Sequence, residues 1–160
     1  MVLLIDGYNL MHALSFFPGD DLEEGRRRLL DLLGLYKRRK GHRVVVVFDG
    51  TDKVGLGEEK VRMRGVEVIF TRRGEKADDA LVRLASQYRE GCVLITSDRS
   101  VREEASRYGT LSFSSQEFQR KLWWVQYSEL KGEEEPVEAY KPSRKLPKKA
   151  RKRLRIWNKL

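Results

Sequence analysis

Aspartates follow several apolar runs of this sequence, and one of these runs is followed by an Asp-Asp pair. Carboxylates held close together repel one another unless a proton or a cation neutralises them. Hard oxygen ligands of this kind favour Mg²⁺ or Mn²⁺. A metal held in this way activates water and stabilises charge on a phosphate. If the fold brings them together, these residues suit metal-dependent phosphodiester hydrolysis: Asp6, Asp49, Asp78, Asp79 and Asp98.

Short apolar runs alternate with helical patterns along the chain. The runs are nearly continuous in hydrophobicity, which is typical of buried parallel strands; they are Val2–Ile5, Arg43–Phe48, Val66–Thr71, Cys92–Thr96 and Thr110–Ser112. Apolar residues at helical spacing predict helices over 22–36, 77–88, 101–108 and 115–130. This alternation predicts an α/β fold with a doubly wound parallel sheet. The site of such a sheet lies beyond the carboxyl ends of its strands, so the aspartates are expected to share one rim.

Each aspartate also has a structural explanation. Asp78 and Asp79 suit the start of a helix, where the helix dipole favours anions. The Asp-Gly pairs at Asp6 and Asp49 are good turn sequences. Ser100 and Glu103 are predicted to form the capping box of the next helix, which leaves Asp98 without a structural task. Taken singly the aspartates are more typical of structure, whereas taken together they favour a metal site.

Other chemistries have weaker support in the residue types. His12 and His42 are isolated from each other, so a zinc cluster is not expected. Cys92 is the single cysteine and lies within a predicted strand, where a buried inert thiol is expected. One cysteine excludes an intramolecular disulfide and favours a reducing compartment. No stretch reaches membrane-spanning length and the first apolar run is short for a signal peptide, so we expect a cytoplasmic protein.

The positive charge is concentrated at the end of the sequence. The net charge is +9, from 33 Lys and Arg against 24 Asp and Glu. Residues 141–160 contain ten Lys and Arg and no acid, which leaves 23 basic and 24 acidic residues in the first 140. Such a block is typical of an arm that binds nucleic acid, and the alternative is a solubilising tail. Glycine and prolines break the pattern before it, so we expect a domain over 1–131, a linker over 132–147 and a basic, helix-patterned tail over 148–160.

Ordered segments of the chain resemble the NYN domain, and more closely its YacP-like bacterial branch. The resemblance spans residues 1–130 and is carried by Leu4–Asn9 (LIDGYN), Val47–Gly50 (VFDG), Glu67–Thr71 (EVIFT), Glu75–Asp79 (EKADD) and Thr96–Asp98 (TSD). The family belongs to the PIN-like nucleases. The resemblance therefore implies a parallel α/β sheet flanked by helices, an acidic site for Mg²⁺ or Mn²⁺, and endoribonuclease activity. It also implies mRNA as the substrate and suggests the ribosome as a partner.

Site residues carry over by position in these motifs. The resemblance implies that Asp6, Asp78 and Asp98 are the catalytic acids and the metal ligands. It gives Asn9 the task of orienting the first acid or the substrate. Asp79 stands where some relatives carry a glutamate. Asp49 lies on the predicted rim and either joins the site or shapes the turn.

Basic residues near the acids and in the tail are candidates for binding RNA phosphates. They are Arg72, Arg73, Lys76, Arg99, Lys148, Lys149, Arg151 and Arg153. For those beside the acids, a solvated loop is an equally good interpretation.

The main hypothesis is a metal-dependent endoribonuclease, and the alternative is a non-catalytic RNA- or ribosome-binding module on a nuclease-like fold. A pure RNA binder gains nothing from a negative rim, so the set of acids favours the enzyme. A phosphatase of another α/β family is disfavoured because Gly7 and Tyr8 follow Asp6, with no second acid two residues on.

Overall fold

A computed structural model describes residues 1–16, 21–50, 57–132 and 146–160. Within these residues the strands are β1 (Val2–Asp6), β2 (Arg43–Phe48), β3 (Glu59–Met63), β4 (Val66–Phe70), β5 (Cys92–Ile95) and β6 (Leu111–Phe113). The helices are α1 (Gly7–Ala13), α2 (Leu22–Lys40), α3 (Ala77–Tyr88), α4 (Arg99–Ser106), α5 (Ser115–Lys131) and α6 (Lys148–Trp157). None of these described helices is long and apolar enough to cross a membrane.

The described strands form one sheet in the order β3-β4-β2-β1-β5-β6. Every neighbouring pair is parallel except β3 and β4, which are antiparallel. From β1 the chain first adds β2 and β4 on one side and later adds β5 and β6 on the other. The order therefore reverses between β1 and β5, which is where an open α/β sheet forms its binding crevice. The predicted α/β class is confirmed, with a mostly parallel sheet flanked by helices.

Both faces of the sheet are covered by helices, which explains the continuous apolar runs of the central strands. One face packs alternate residues such as Leu3 and Ile5 against α1, α2 and α5. The other packs residues such as Leu4 and Val45 against α3 and α4. Asp6 has the same parity as Leu4, so its side chain lies on the α3 and α4 side of β1.

Two elements differ from the sequence prediction. Strand β3 is a mostly exposed edge strand, and it returns into β4 through Arg64 and Gly65, which both have positive φ of 53° and 79°. A two-residue turn of this kind is usually signalled by Asn-Gly, a signal that Arg-Gly does not give. Helix α1 begins directly after Asp6, where the sequence predicted a turn at Asp6-Gly7.

Helix α6 packs on the body of the fold. The Trp157 ring lies 4.9 Å from the Phe113 ring, measured between centroids. Leu160 is fully buried, and the Tyr36 hydroxyl donates a hydrogen bond to its backbone oxygen at 3.0 Å. Residues Lys148–Trp157, within the segment predicted as a helix-patterned basic tail, form α6. Most of the predicted linker, residues 133–145, lies outside the described residues.

Candidate active site

Acidic residues from three elements meet at the carboxyl edge of the sheet. Asp6 is the last residue of β1, and Asp98 follows β5 and directly precedes α4. Asp78 and Asp79 lie in the first turn of α3. Burial is the main cause that raises the pKa of Asp6, and the nearby charges of Asp78 and Asp98 add to the rise. The structure therefore brings the three predicted core acids to one rim, on the two sides of the switch point between β1 and β5.

Asp6 is the most buried of these acids, with 8 % of its surface exposed. Its Oδ1 accepts a hydrogen bond from the Asn9 backbone N–H at 3.2 Å and so caps α1. Its Oδ2 accepts a hydrogen bond from the Thr96 hydroxyl at 3.0 Å. Both oxygens are therefore held in fixed directions by neighbouring elements.

Burial raises the pKa of Asp6 to about 6, because a carboxylate loses hydration energy when it is removed from water. The hydrogen bonds from Asn9 and Thr96 oppose this rise, and the nearby charges of Asp78 and Asp98 add to it. A buried carboxyl group whose pKa is raised, with other acids nearby, marks this rim as a candidate functional site.

Asp98 caps helix α4, contrary to the predicted capping box of Ser100 and Glu103. Its Oδ1 accepts hydrogen bonds from the Ser100 N–H and hydroxyl, both at 2.8 Å, and from the Val101 N–H at 3.2 Å. The bond from the Ser100 hydroxyl is the main cause that lowers the pKa of Asp98, followed by that from Val101. In the described part of the chain its Oδ2 accepts no hydrogen bond. Asp98 thus has a structural task on Oδ1, and no hydrogen bond from the described residues occupies its Oδ2.

Asp78 is half-buried and Asp79 is exposed. Burial is the main cause that raises the pKa of Asp78, and the charges of Asp98, Asp79 and Asp49 add to it. The positive charge of Lys76 lowers the pKa of Asp78 and so opposes this rise. Asp49, at the end of β2, therefore lies close enough to act on the site electrostatically.

Asn9 joins three segments through its side chain. Its Oδ1 accepts hydrogen bonds from the Ser97 N–H at 2.8 Å and from the Ser115 hydroxyl at 2.6 Å. These bonds fix the β5–α4 segment, which carries Asp98, against α1 and the start of α5. Asn9 is thus a positioning residue, and its contact with Asp6 is made by its backbone.

Thr96 was not singled out from the sequence, yet it connects two acids. Its hydroxyl donates to Asp6 and accepts a hydrogen bond from the Asp98 N–H at 3.2 Å. It is fully buried. The sequence could have indicated Thr96 as a site residue, because it directly follows a strand and residues at that position lie at the rim.

Two glycines allow close approaches near the rim. A Cβ on Gly7 would lie 2.3 Å from the Phe48 ring, so glycine lets α1 pack against the end of β2. A Cβ on Gly50 would lie 1.8 Å from the Thr71 oxygen. The Gly50 N–H donates to the Thr71 hydroxyl at 3.0 Å, and this bond holds the residues directly after β2 against the start of the β4–α3 loop.

The acids fit an open metal site better than a closed one. Among the described residues, no group of three His, Cys, Asp or Glu side chains is arranged closely enough to hold a metal ion. Mg²⁺ commonly takes only one or two carboxylates and completes its shell with water and substrate phosphates. Asp6, Asp78 and Asp98 offer oxygen ligands and mutual repulsion that a dication would relieve, so their chemistry fits such a site.

The basic residues predicted to bind RNA lie in two groups. Arg72, Arg73, Lys76 and Arg99 are exposed beside the acids. Arg72 is 3.6 Å from Glu75, and Arg99 is 2.8 Å from Glu103. The second group lies in α6. Lys148, Lys149 and Arg151 are exposed, whereas Arg153 is half-buried and pairs with Glu117 at 2.9 Å.

Comparison with known proteins gives a consistent result. Residues 3–159 match the family model described as the YacP-like NYN domain. The YacP protein of Bacillus subtilis (strain 168) is 34% identical over 127 residues, which cover 76% of this chain and 74% of that protein. The crystal structure of Rae1 (YacP) from Bacillus subtilis has a TM-score of 0.68 at 30% identity, covering 82% of this chain and 79% of that one. A tryptophan-to-leucine variant of the same protein has a TM-score of 0.66 at 26% identity, covering 98% of this chain and 99% of that one.

Proposed function

Because the chain belongs to the YacP-like NYN domain family, which is nuclease-like, we propose that it is a metal-dependent endoribonuclease. In this proposal Asp6, Asp78 and Asp98 hold Mg²⁺ or Mn²⁺ at the carboxyl edge of the sheet. The observation that supports it most is the nearly buried Asp6, whose pKa is raised by burial and by the two other acids. The cap of α1 does not require a carboxylate, since an amide oxygen would accept the Asn9 N–H equally well. The second oxygen does require an acceptor, because the Thr96 hydroxyl donates to it, which an amide nitrogen could not accept.

Each residue of the site has a task in this proposal. When bound, the metal lowers the pKa of a water molecule and stabilises charge on the scissile phosphate. Thr96 and the Asn9 backbone hold the Asp6 oxygens in place. The Asn9 side chain holds Ser97, the residue that precedes Asp98, against α1. Asp79 adds negative charge at the outer side of Asp78.

Basic residues around the acids bind the rest of the substrate in this proposal. Arg72, Arg73, Lys76 and Arg99 are exposed on the loops and helix starts that surround the rim. Their charges attract the phosphates that flank the cleaved bond. We propose mRNA as the substrate and the ribosome as a partner, on the strength of the relation to the YacP family, and the cytoplasm as the place of action.

The alternative is a non-catalytic RNA- or ribosome-binding module. The lack of a closed group of three metal ligands in the described residues favours it. The cost of ionising Asp6 argues against it, because a binder of polyanions gains nothing from buried negative charge at its binding edge.

Cleavage of RNA by Asp-to-Asn variants distinguishes the two. Asp98→Asn is a clean test because asparagine caps helices as well as aspartate does, so α4 is retained. We expect Asp6→Asn and Asp98→Asn to cut RNA at least about 100-fold more slowly, since even the outer partners of metal sites contribute roughly 10- to 100-fold. The assay uses structured mRNA with Mg²⁺, Mn²⁺ or EDTA, with and without translating ribosomes.

A matched control makes the same change of charge at an aspartate that is not one of the proposed metal ligands. Asp21 caps α2 through a hydrogen bond from the Glu24 N–H at 3.0 Å, so Asp21→Asn repeats the same substitution at another helix start. It should cut RNA at the wild-type rate. Wild-type rates in Asp6→Asn and Asp98→Asn would overturn the assignment of the site. Cleavage that continues in EDTA would overturn the proposed metal dependence.

A further inference from the structure

Basic side chains from two distant parts of the sequence line one cleft beside the acidic rim. The cleft has a volume of about 380 Å³ and lies between α4, α6 and the edge strand β6. Arg99 and Arg102 come from α4, and Lys149 and Arg153 come from α6. Among the described residues that line it, Glu103 is the sole carboxylate. The cleft is therefore strongly positive, although it adjoins a negative site.

The cleft runs along α4, from its first residue, Arg99, to its last, Ser106. Arg99, at its upper end, directly follows Asp98 in the chain. Ser106 and Thr110, from the far end of α4 and the start of β6, line its lower part. A nucleic-acid strand whose cleaved phosphate lies at the rim would thus continue along α4 into the cleft.

Three of the basic side chains are available to a ligand. Arg99 pairs with Glu103 at 2.8 Å, but these side chains are 90% and 64% exposed, and such pairs contribute little. Arg102 is half-buried and donates from Nε to the Ser112 hydroxyl at 3.2 Å, while its Nη atoms make no hydrogen bond to the described residues. Lys149 is exposed and forms no ion pair within the described part of the chain.

Arg153 has a different task, which is to fix the wall of the cleft. Its guanidinium pairs with Glu117 at 2.9 Å and lies 4.1 Å from the centroid of the Phe113 ring. It also donates to the backbone oxygen of Ser112, in the edge strand. These contacts hold α6 at a set position beside β6, so that Lys149 faces α4 across the cleft.

We infer that this cleft binds the phosphate backbone of a single RNA strand on one side of the cleavage position, through Arg99, Arg102 and Lys149. The inference rests on the proposed function, because the acids determine where the strand enters. An edge strand such as β6 also accepts extended peptides in some proteins. The cationic lining, with serine and threonine hydroxyls between the charges, favours a polyanion.

The salt dependence of RNA binding tests this inference. The variant is Arg102→Ala with Lys149→Ala, and the control is Arg107→Ala with Arg155→Ala, which removes the same charge from residues that lie outside the cleft lining. Binding of a fluorescent single-stranded RNA is measured without divalent metal over a range of salt concentrations. Each lost phosphate contact lowers the slope of log K against log[salt] by about 0.7, so we expect a loss of about 1.4 for the cleft variant and a smaller loss for the control.

Equal slopes for the two double variants would overturn the cleft as an RNA site and leave the β6 edge to a protein partner. Lys149→Glu, at an exposed position, repeats the test without disturbing the bond from Arg102 to Ser112. Cleavage is assayed separately with Asp98→Asn. If the cleft variant lowers the slope but the wild type does not cleave RNA, the proposed function alone is overturned. If the wild type cleaves RNA but the cleft variant and its control have equal slopes, this inference alone is overturned.

Discussion

The carboxyl group of Asp6 is almost fully buried, and its pKa of about 6 lies well above its ordinary value of 3.8. Well below pH 4 it is protonated in both the folded and the unfolded chain, so its ionisation has no effect on stability. As the pH rises from about 4 to 6, the unfolded chain releases this proton first, and the folded state loses stability. The loss is complete above pH 6 and corresponds to about 3 kcal/mol as an upper value.

Asp6→Asn should therefore stabilise the protein at neutral pH while it abolishes the proposed site. In metal-free buffer at pH 7.5 we expect the variant to gain about 1 to 3 kcal/mol in its free energy of unfolding, and to lose this gain by pH 4. Urea denaturation at pH 4, 6 and 7.5 measures it. Asp79→Asn, at an exposed position of the same rim, should change stability by less than about 0.5 kcal/mol. A less stable Asp6→Asn at pH 7.5 would contradict the burial argument.

At the scale of elements, helix α6 is the part whose role changed most between sequence and structure. Its charge pattern predicted a polyanion-binding arm, and its exposed lysines keep that interpretation open. Its apolar side, however, packs Trp157 on Phe113 and leads to the fully buried Leu160. Deleting the tail would therefore remove core contacts together with charges, so only substitutions of single side chains separate binding from folding.

Trp157→Ala should lower the free energy of unfolding by roughly 2 to 4 kcal/mol, because it removes a large ring from its contact with Phe113. Arg155→Ala, two residues away and exposed, should lower it by less than about 0.5 kcal/mol. Urea denaturation of the two variants makes the comparison. Equal stabilities would show that α6 is attached to the fold only weakly.

The sequence allowed the prediction of elements with strong local signals. The parallel strands were continuous apolar runs, and the helical spacing of residues 115–130 corresponds to α5, Ser115–Lys131. Strand β3 was missed because an exposed edge strand carries charged residues and no apolar run. The cap of α4 was assigned to Ser100 because its sequence pattern matched, whereas three donors converge on Asp98 in the fold. Competition between neighbouring caps is decided by geometry that spacing alone does not contain.

At the scale of the whole molecule, the winding of the sheet explains why residues 92 positions apart serve one site. Asp6 and Asp98 follow β1 and β5, which are parallel neighbours paired from Val2–Cys92 to Ile5–Ile95. Their connections run to opposite sides, and this leaves a crevice at their carboxyl ends. The convergence of the acids was predictable from the strand pattern. The links through Thr96 and the Asn9 side chain depend on side-chain contacts between distant segments, and these were not predictable.

If these acids hold a divalent metal as proposed, the stability of the entire fold will depend on the metal concentration. A ligand that binds only the folded state stabilises it by about 2.7 kcal/mol when its concentration is 100 times its Kd. We expect Mn²⁺ or Mg²⁺ to raise the free energy of unfolding at pH 7.5. The increase should be smaller at pH 5, where Asp6 is mostly protonated and the proton competes with the metal for the same carboxylate oxygens. Urea denaturation with and without metal measures both effects, with NaCl at equal ionic strength as the control, because the protein carries a net charge of +9.

Asp6→Asn and Asp98→Asn should lose most of the metal effect, whereas Asp21→Asn should keep it. A metal effect of the same size in all three variants would place the ion elsewhere on the molecule.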